Sequence, residues 1–229
     1  MNEPLNDKQR VAHYAADLIE NGMVVGLGTG STANYFIDEL GRKKQDGLNI
    51  MTVASSIISS NRAQQMGLDV VSIEHLSHID VYVDGADEVS SNMALLKGRG
   101  ADLVKEKLLA KASKQFYVLI DNSKLVDRIG EKFPIPIEVA PFSWEMVLHS
   151  LLEIGGKGAL RPNGDGLAMT SHGSLVLDMT FDSALNSQQL NDQLNAIPGI
   201  IEHGIFEQLA TAILIGENEQ VTHITKPAE

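Results

Sequence analysis

Short runs of apolar, β-favouring residues punctuate this chain, and each stops at a small or acidic residue before a helical pattern begins. The segments "MVVGLG" (23–28), "IMTVA" (50–54), "DVYV" (80–83) and "QFYVLID" (115–121) are almost wholly apolar rather than alternating. A strand that is apolar on both faces has to be covered on both faces. That condition is met by a parallel sheet with helices packed on either side. The intervening segments have helical spacing: Val11, Tyr14, Ala15, Leu18 and Ile19 within 7–20, and Tyr35, Phe36 and Leu40 within 33–40. Further helices are expected near Ser59–Met66 and over 101–112, and a further strand at "DVVSI" (69–73).

The pattern changes near residue 130. "EKFPIPIEVAP" carries three prolines, which favours a linker or an edge strand. A helix over 143–154, a strand over 174–180 and a helix near Ser187–Ala196 follow. This mixture reads as a smaller α+β domain. "ATAILIGE" (210–217) is again wholly apolar, and it can rejoin the first sheet. The expected division is therefore a catalytic domain over 1–130 plus 207–229, with 131–206 inserted into it.

With 229 residues and 43% hydrophobic composition, the chain can bury a substantial core. It has no cysteine, which removes disulfides, thiol nucleophiles and thiolate metal sites. A net charge of −12 argues against a nucleic-acid backbone as partner. No apolar run approaches membrane-spanning length and the first ten residues lack a signal core, so a cytoplasmic location is expected.

Four stretches carry candidate chemistry. In "GLGTGSTA" (26–33) a glycine-rich turn opens a helix, where backbone N–H groups can cradle an anion. The plain alternative is a capped turn. The G-x-G-x-G spacing is not a dinucleotide fingerprint, and it lacks the P-loop lysine. In "DVYVDGADEVSS" (80–91), Asp84 stands at the carboxyl end of a strand, where ligands of such sheets sit. Asp84 and Asp87 can converge on one polar substrate, with one acid moving a proton and the other orienting it. The plain alternative is a turn rich in aspartate hydrogen bonds, and Glu88 reads as solvated. In "LLKGRGADLVKEKLLA" (95–110), Lys97 precedes a Gly98-Arg99-Gly100 loop and can stabilise an oxyanion. Glu106 has Leu103, Leu109 and Ala110 as helical neighbours, so it can be desolvated into a better base. A solvated Glu/Lys face competes with that reading. In "DNSKLV" (121–126), Lys124 can hold a phosphate or simply be exposed. Each signal is weak alone. Together they suit proton transfer beside a carbonyl of a small phosphorylated molecule.

At these residues the chain resembles the ribose-5-phosphate isomerase type A family. The motifs "GLGTGSTA", "YVDGADEV" (82–89), "KGRGADLVKEK" (97–107) and "DNSK" (121–124) occur in the family's order and spacing. The resemblance implies an α/β fold with a Rossmann-like, mostly parallel sheet domain and a smaller inserted α+β domain. It also implies a homodimer or homotetramer that needs no metal or nucleotide cofactor. The implied reaction interconverts ribose 5-phosphate and ribulose 5-phosphate through a cis-enediol. Glu106 would be the base. Lys97 and the Gly98–Gly100 amides, Arg99 included, would steady the enediolate. Asp84 would assist ring opening, and Asp87 would bind hydroxyls and orient Lys97. Thr29, Gly30, Ser31, Thr32, Gly85, Ala86 and Lys124 would complete the substrate-binding set. One departure is visible: the family often continues its loop as K-G-[GR]-G-G-A, whereas Ala101 and Asp102 stand here. The rival readings are a CoA-transferase-like enzyme, a non-catalytic sugar-phosphate sensor and an amino-sugar phosphate isomerase or deaminase.

Overall fold

A computed structural model describes residues 5–100, 102–182 and 185–226. The chain divides into two compact units. The first runs through Ala86 and adds Lys105–Lys124 and the segment from Leu209 onward. The second comprises Asp87–Val104 and Leu125–Gln208.

The first unit is built on a six-stranded sheet. Val24–Leu27 lies between Met51–Ala54 and Ile79–Gly85, parallel to both. Ile79–Gly85 then pairs parallel with Ser113–Asp121, and that strand with Ala212–Glu217. Only the edge strand Gln220–Thr225 runs antiparallel. The apolar runs form these strands because both faces are covered. Val25, Leu27, Val81, Val83, Leu119 and Leu214 are buried in one core with Phe36, Ile37 and Leu40 of helix Ser31–Gln45. Each such side chain contributes roughly 1.5–3 kcal/mol of burial. The expected return of 210–217 to this sheet is observed.

The expected strand at 69–73 does not form. Val70 makes one isolated bridge to Thr52, and a 3-10 turn follows at Ile73–His75. The segment lies outside the edge strand, where one bridge satisfies it and no further neighbour can extend the ladder.

The second unit holds an antiparallel sheet in the order Ile200–His203, Ile135–Val139, Leu175–Phe181 and Gly156–Leu160. The proline-rich stretch is thus neither linker nor edge. Ile135–Val139 is buried throughout and paired on both sides. Pro136 is accommodated because it loses only a donor; its carbonyl still accepts from the Gly204 N–H at 2.8 Å. Helices Trp144–Glu153 and Ser187–Ala196 contribute Val147, Leu151, Leu190 and Leu194 to the core of this unit. No helix among the described residues is long and apolar enough to cross a membrane.

Candidate active site

Because five of the first unit's six strands are parallel, their carboxyl ends share one edge of the sheet. Gly28 and Thr29 follow the first strand, Ser55 and Ser56 the second, and Asp84 and Gly85 close the third. Asp121 ends the fourth and Glu217 the fifth.

Asp84 is fully buried there. Its Oδ1 accepts from the backbone N–H of Thr29 at 3.1 Å and of Gly85 at 2.7 Å. Its Oδ2 accepts from the Tyr82 hydroxyl at 2.5 Å. The Thr29 side chain turns inward: its Oγ1 lies 2.7–2.9 Å from the hydroxyls of Ser55, Ser56 and Ser59. Gly30 has φ +125° and precedes the Ser31–Gln45 helix. A side chain would strain that conformation. The first helical turn, with Ser31 and Thr32, presents backbone N–H groups at the positive end of the helix dipole.

Lys8 went unrecognised in the sequence because it sits in an ordinary polar first turn, that of helix Asp7–Asp17. A reciprocal cap between Asn6 and Gln9 fixes this turn, and the Lys8 ammonium donates to the Ser31 hydroxyl at 3.3 Å. Lys8, Asp121, Asn122 and Ser123 line a cavity of about 530 Å³. Lys124 closes the short turn that carries Asn122 and Ser123.

Glu106 sits on helix Leu103–Ala112 and is 5% exposed, and the apolar neighbours expected for it, Leu103, Leu109 and Ala110, are buried too. The competing picture of a solvated Glu/Lys face therefore does not hold, and Lys107 is buried as well.

In the second unit Lys97 is 4% exposed, its ammonium 5.7 Å from the Phe206 ring centroid. The Lys97 N–H donates to Gly204 O at 2.9 Å. Gly98 has φ +87°, and a Cβ there would overlap Leu103 at 1.5 Å, so the loop requires glycine. The Arg99 guanidinium lies 4.0 Å over the Phe133 ring and 3.9 Å from the Asp87 carboxylate. Its carbonyl accepts from Arg161 at 2.9 Å, while Arg161 is itself held bidentate by Asp178. Of the two departing residues, Ala101 lies outside the described residues, and Asp102 accepts from the Ser171 hydroxyl at 2.8 Å.

Glu88 corrects the sequence reading. It is fully buried, not solvated. Its carboxylate accepts from the backbone N–H groups of Gly130 (2.6 Å), Lys132 (2.7 Å) and Phe133 (2.8 Å).

These features define an α/β protein of the mostly parallel, Rossmann-like class, with acids, hydroxyls and backbone donors at the carboxyl edge of its sheet. The model of "Ribose 5-phosphate isomerase A (phosphoriboisomerase A)" matches residues 51–220. The chain belongs to the ribose 5-phosphate isomerase A family. A DeoR C-terminal sensor domain model matches residues 3–73. The chain is 39% identical to ribose-5-phosphate isomerase A of Thermomicrobium roseum, over 91% of this chain and 89% of that protein. Ribose 5-phosphate isomerase A of Methanocaldococcus jannaschii superposes with a TM-score of 0.90 at 35% identity, covering 96% of this chain and 98% of that one. A D-ribose-5-phosphate isomerase solved in complex with phospho-erythronic acid superposes at 0.92 with 38% identity, covering 97% and 100%.

Proposed function

We propose that the chain interconverts D-ribose 5-phosphate and D-ribulose 5-phosphate by proton transfer between C1 and C2 through a cis-enediol, the metal-free route that the family resemblance implies. The family match across residues 51–220 carries this reading. The sensor and CoA-transferase alternatives are not favoured by relatives that are isomerases over nearly their whole length. Glu106 is the base; its apolar helix neighbours keep water from competing for it. Lys97, with the amides of Gly98 to Gly100, stabilises the negative oxygen that develops as the proton leaves carbon. Asp84 handles the sugar ring oxygen. Asp87 binds hydroxyls and orients Lys97. Thr29, Gly30, Ser31 and Thr32 with Gly85, Ala86, Arg99 and Lys124 complete the binding set, and Lys8 joins the phosphate end. One relative was solved in complex with phospho-erythronic acid, a phosphorylated sugar acid, which is in keeping with a phosphosugar substrate.

The working protein is read as a cytoplasmic homodimer or homotetramer. The cysteine-free chain suits a reducing compartment. In the second unit Phe142 is 93% exposed and Met146 77%, apolar surface that association would remove from water.

The deciding experiment incubates chelator-treated protein with ribose 5-phosphate in D₂O. Ribulose 5-phosphate carrying solvent-derived deuterium is expected. Binding without product would overturn the isomerase reading, and light scattering of the same sample reports the oligomer.

A further inference from the structure

Tyr82 was legible in the sequence only as a β-favouring residue of a buried strand. The structure gives it a specific setting. Residues i and i+2 of a strand share a face, so the Tyr82 phenol and the Asp84 carboxylate project together from Ile79–Gly85. The phenol is fully buried and stacks on Phe116 of the neighbouring strand, with centroids 4.9 Å apart and an interplanar angle of 25°. Gly26 in the strand on the other side makes room for it: a Cβ there would meet Tyr82 Cδ2 at 2.7 Å.

The ring is thus fixed on two sides, and its hydroxyl has one direction to point. It donates to Asp84 Oδ2 at 2.5 Å. Burial, then the carboxylates of Asp84 and Glu106, push the phenol well above its ordinary range. It therefore remains a donor near neutral pH. Behind it stands a second layer. The Ser55 hydroxyl, which moderates that rise, lies 2.9 Å from Thr29 Oγ1. Thr29 in turn donates to Ser56 at 2.7 Å, and Ser59 donates to the Gly28 carbonyl at 2.6 Å. None of these hydroxyls changes charge near neutral pH. The network therefore ends at Asp84 and serves to hold it. Connected hydroxyls polarise one another, which strengthens the terminal donor.

We propose that Tyr82, backed by Ser55 and Thr29, is a positioning residue that sets the Asp84 carboxylate for its work at the sugar ring oxygen. The inference rests on the isomerase reading and on the ring-opening role proposed there for Asp84. Chemistry supplies a test specific to that role. Ribulose 5-phosphate has no free 5-hydroxyl and stays open-chain, so removing its C1 proton requires no ring step. Its conversion to ribose 5-phosphate ends in ring closure.

The experiment supplies ribulose 5-phosphate in D₂O to the unsubstituted protein and to Tyr82→Phe, which keeps the ring and loses the hydroxyl. Two rates are followed by NMR: deuterium entry at C1 and net formation of ribose 5-phosphate. Losing a donor to a carboxylate is expected to slow net formation about 10-fold, and deuterium entry by no more than about 3-fold. Equal slowing of both rates, or no change in either, would overturn the inference while leaving the isomerase reading intact. Ser55→Ala removes the backing hydroxyl, and the same imbalance is expected at about 3-fold. It decides the matter if Tyr82→Phe does not fold, and parallel rates in it would equally overturn the inference. Absence of turnover by the unsubstituted protein would remove the isomerase reading and this inference together.

Discussion

Gly28 lies against the Asp84 carboxylate so closely that a Cβ on it would stand 2.1 Å from Oδ1 and 2.2 Å from Cγ. The same approach lets Gly28 N–H donate to Val83 O at 2.9 Å and lets the Thr29 amide reach Asp84. Gly28→Ala must therefore displace the carboxylate or the turn. We expect kcat/KM for ribose 5-phosphate to fall by at least about 10²-fold and stability to drop by about 1–3 kcal/mol, as in other overpacked sites. Steady-state assays and thermal melts check this; a fully active alanine variant would show that Asp84 need not stay where it is.

Glu106→Gln keeps the size of the side chain and removes the base. The expected result is a kcat at least about 10²-fold lower with sugar-phosphate binding largely intact, since a positioned base is worth about 10²–10⁴-fold. Near-normal turnover would take the base role away from Glu106.

For Lys97→Ala the expected loss is about 10²–10³-fold in kcat, the scale of removing one oxyanion donor. A change confined to KM would leave Lys97 as a binding residue only. The ammonium sits almost fully buried near Phe206, so lysine is held where a mobile surface cation would not be.

The inner parallel strands were legible because burial on both faces leaves an unbroken apolar run, as in residues 115–121. The burial of Glu106 was legible for a related reason, since its i−3, i+3 and i+4 neighbours are apolar. Ile135–Val139 was hidden because Pro136 and the flanking Pro134 and Pro141 signal an edge, and only pairing with residues near 178 and 202 reveals a central strand. Glu88 was misread because its donors come from residues 130–133, and no local pattern announces a remote ring of amides. Lys8 and the hydroxyls around Thr29 were missed likewise: Ser31, Ser55 and Ser59 reach them only through the packing of separate helices and strands.

Glu88 supplies the acceptor for three amides in the 130–133 turn, which places Phe133 under Arg99. Glu88→Ala strands those donors away from water, and about 3 kcal/mol or more of stability should be lost. Glu88→Gln retains one oxygen, enough for Lys132 and Phe133, but turns an amide donor toward Gly130; about 1–2 kcal/mol is expected. Urea unfolding measures both, and an alanine variant as stable as the parent would mean the turn holds itself.

Glu138 makes the stability of the fold depend on pH. It is fully buried on the Ile135–Val139 strand, and its Oε2 has no hydrogen-bond partner among the described residues. Burial raises its pKa above the ordinary 4.5; hydrogen bonds from Thr170 and Ser174 and the nearby His172 only partly offset this, and Glu202 adds to the rise. The folded state therefore binds a proton that the unfolded state has already released. Since the slope of unfolding free energy with pH follows the protons bound unfolded minus folded, it is negative here. The favourable contribution is complete below pH 4.5 and is lost as pH rises through the raised folded value. Glu138→Gln cannot titrate, so the unfolding free energy of this variant, measured in urea from pH 4.5 upward, should decline less steeply than that of the parent. Parallel curves for the two proteins would show that the carboxyl is already ionised in the fold and that the unpartnered oxygen is stabilised by some other means.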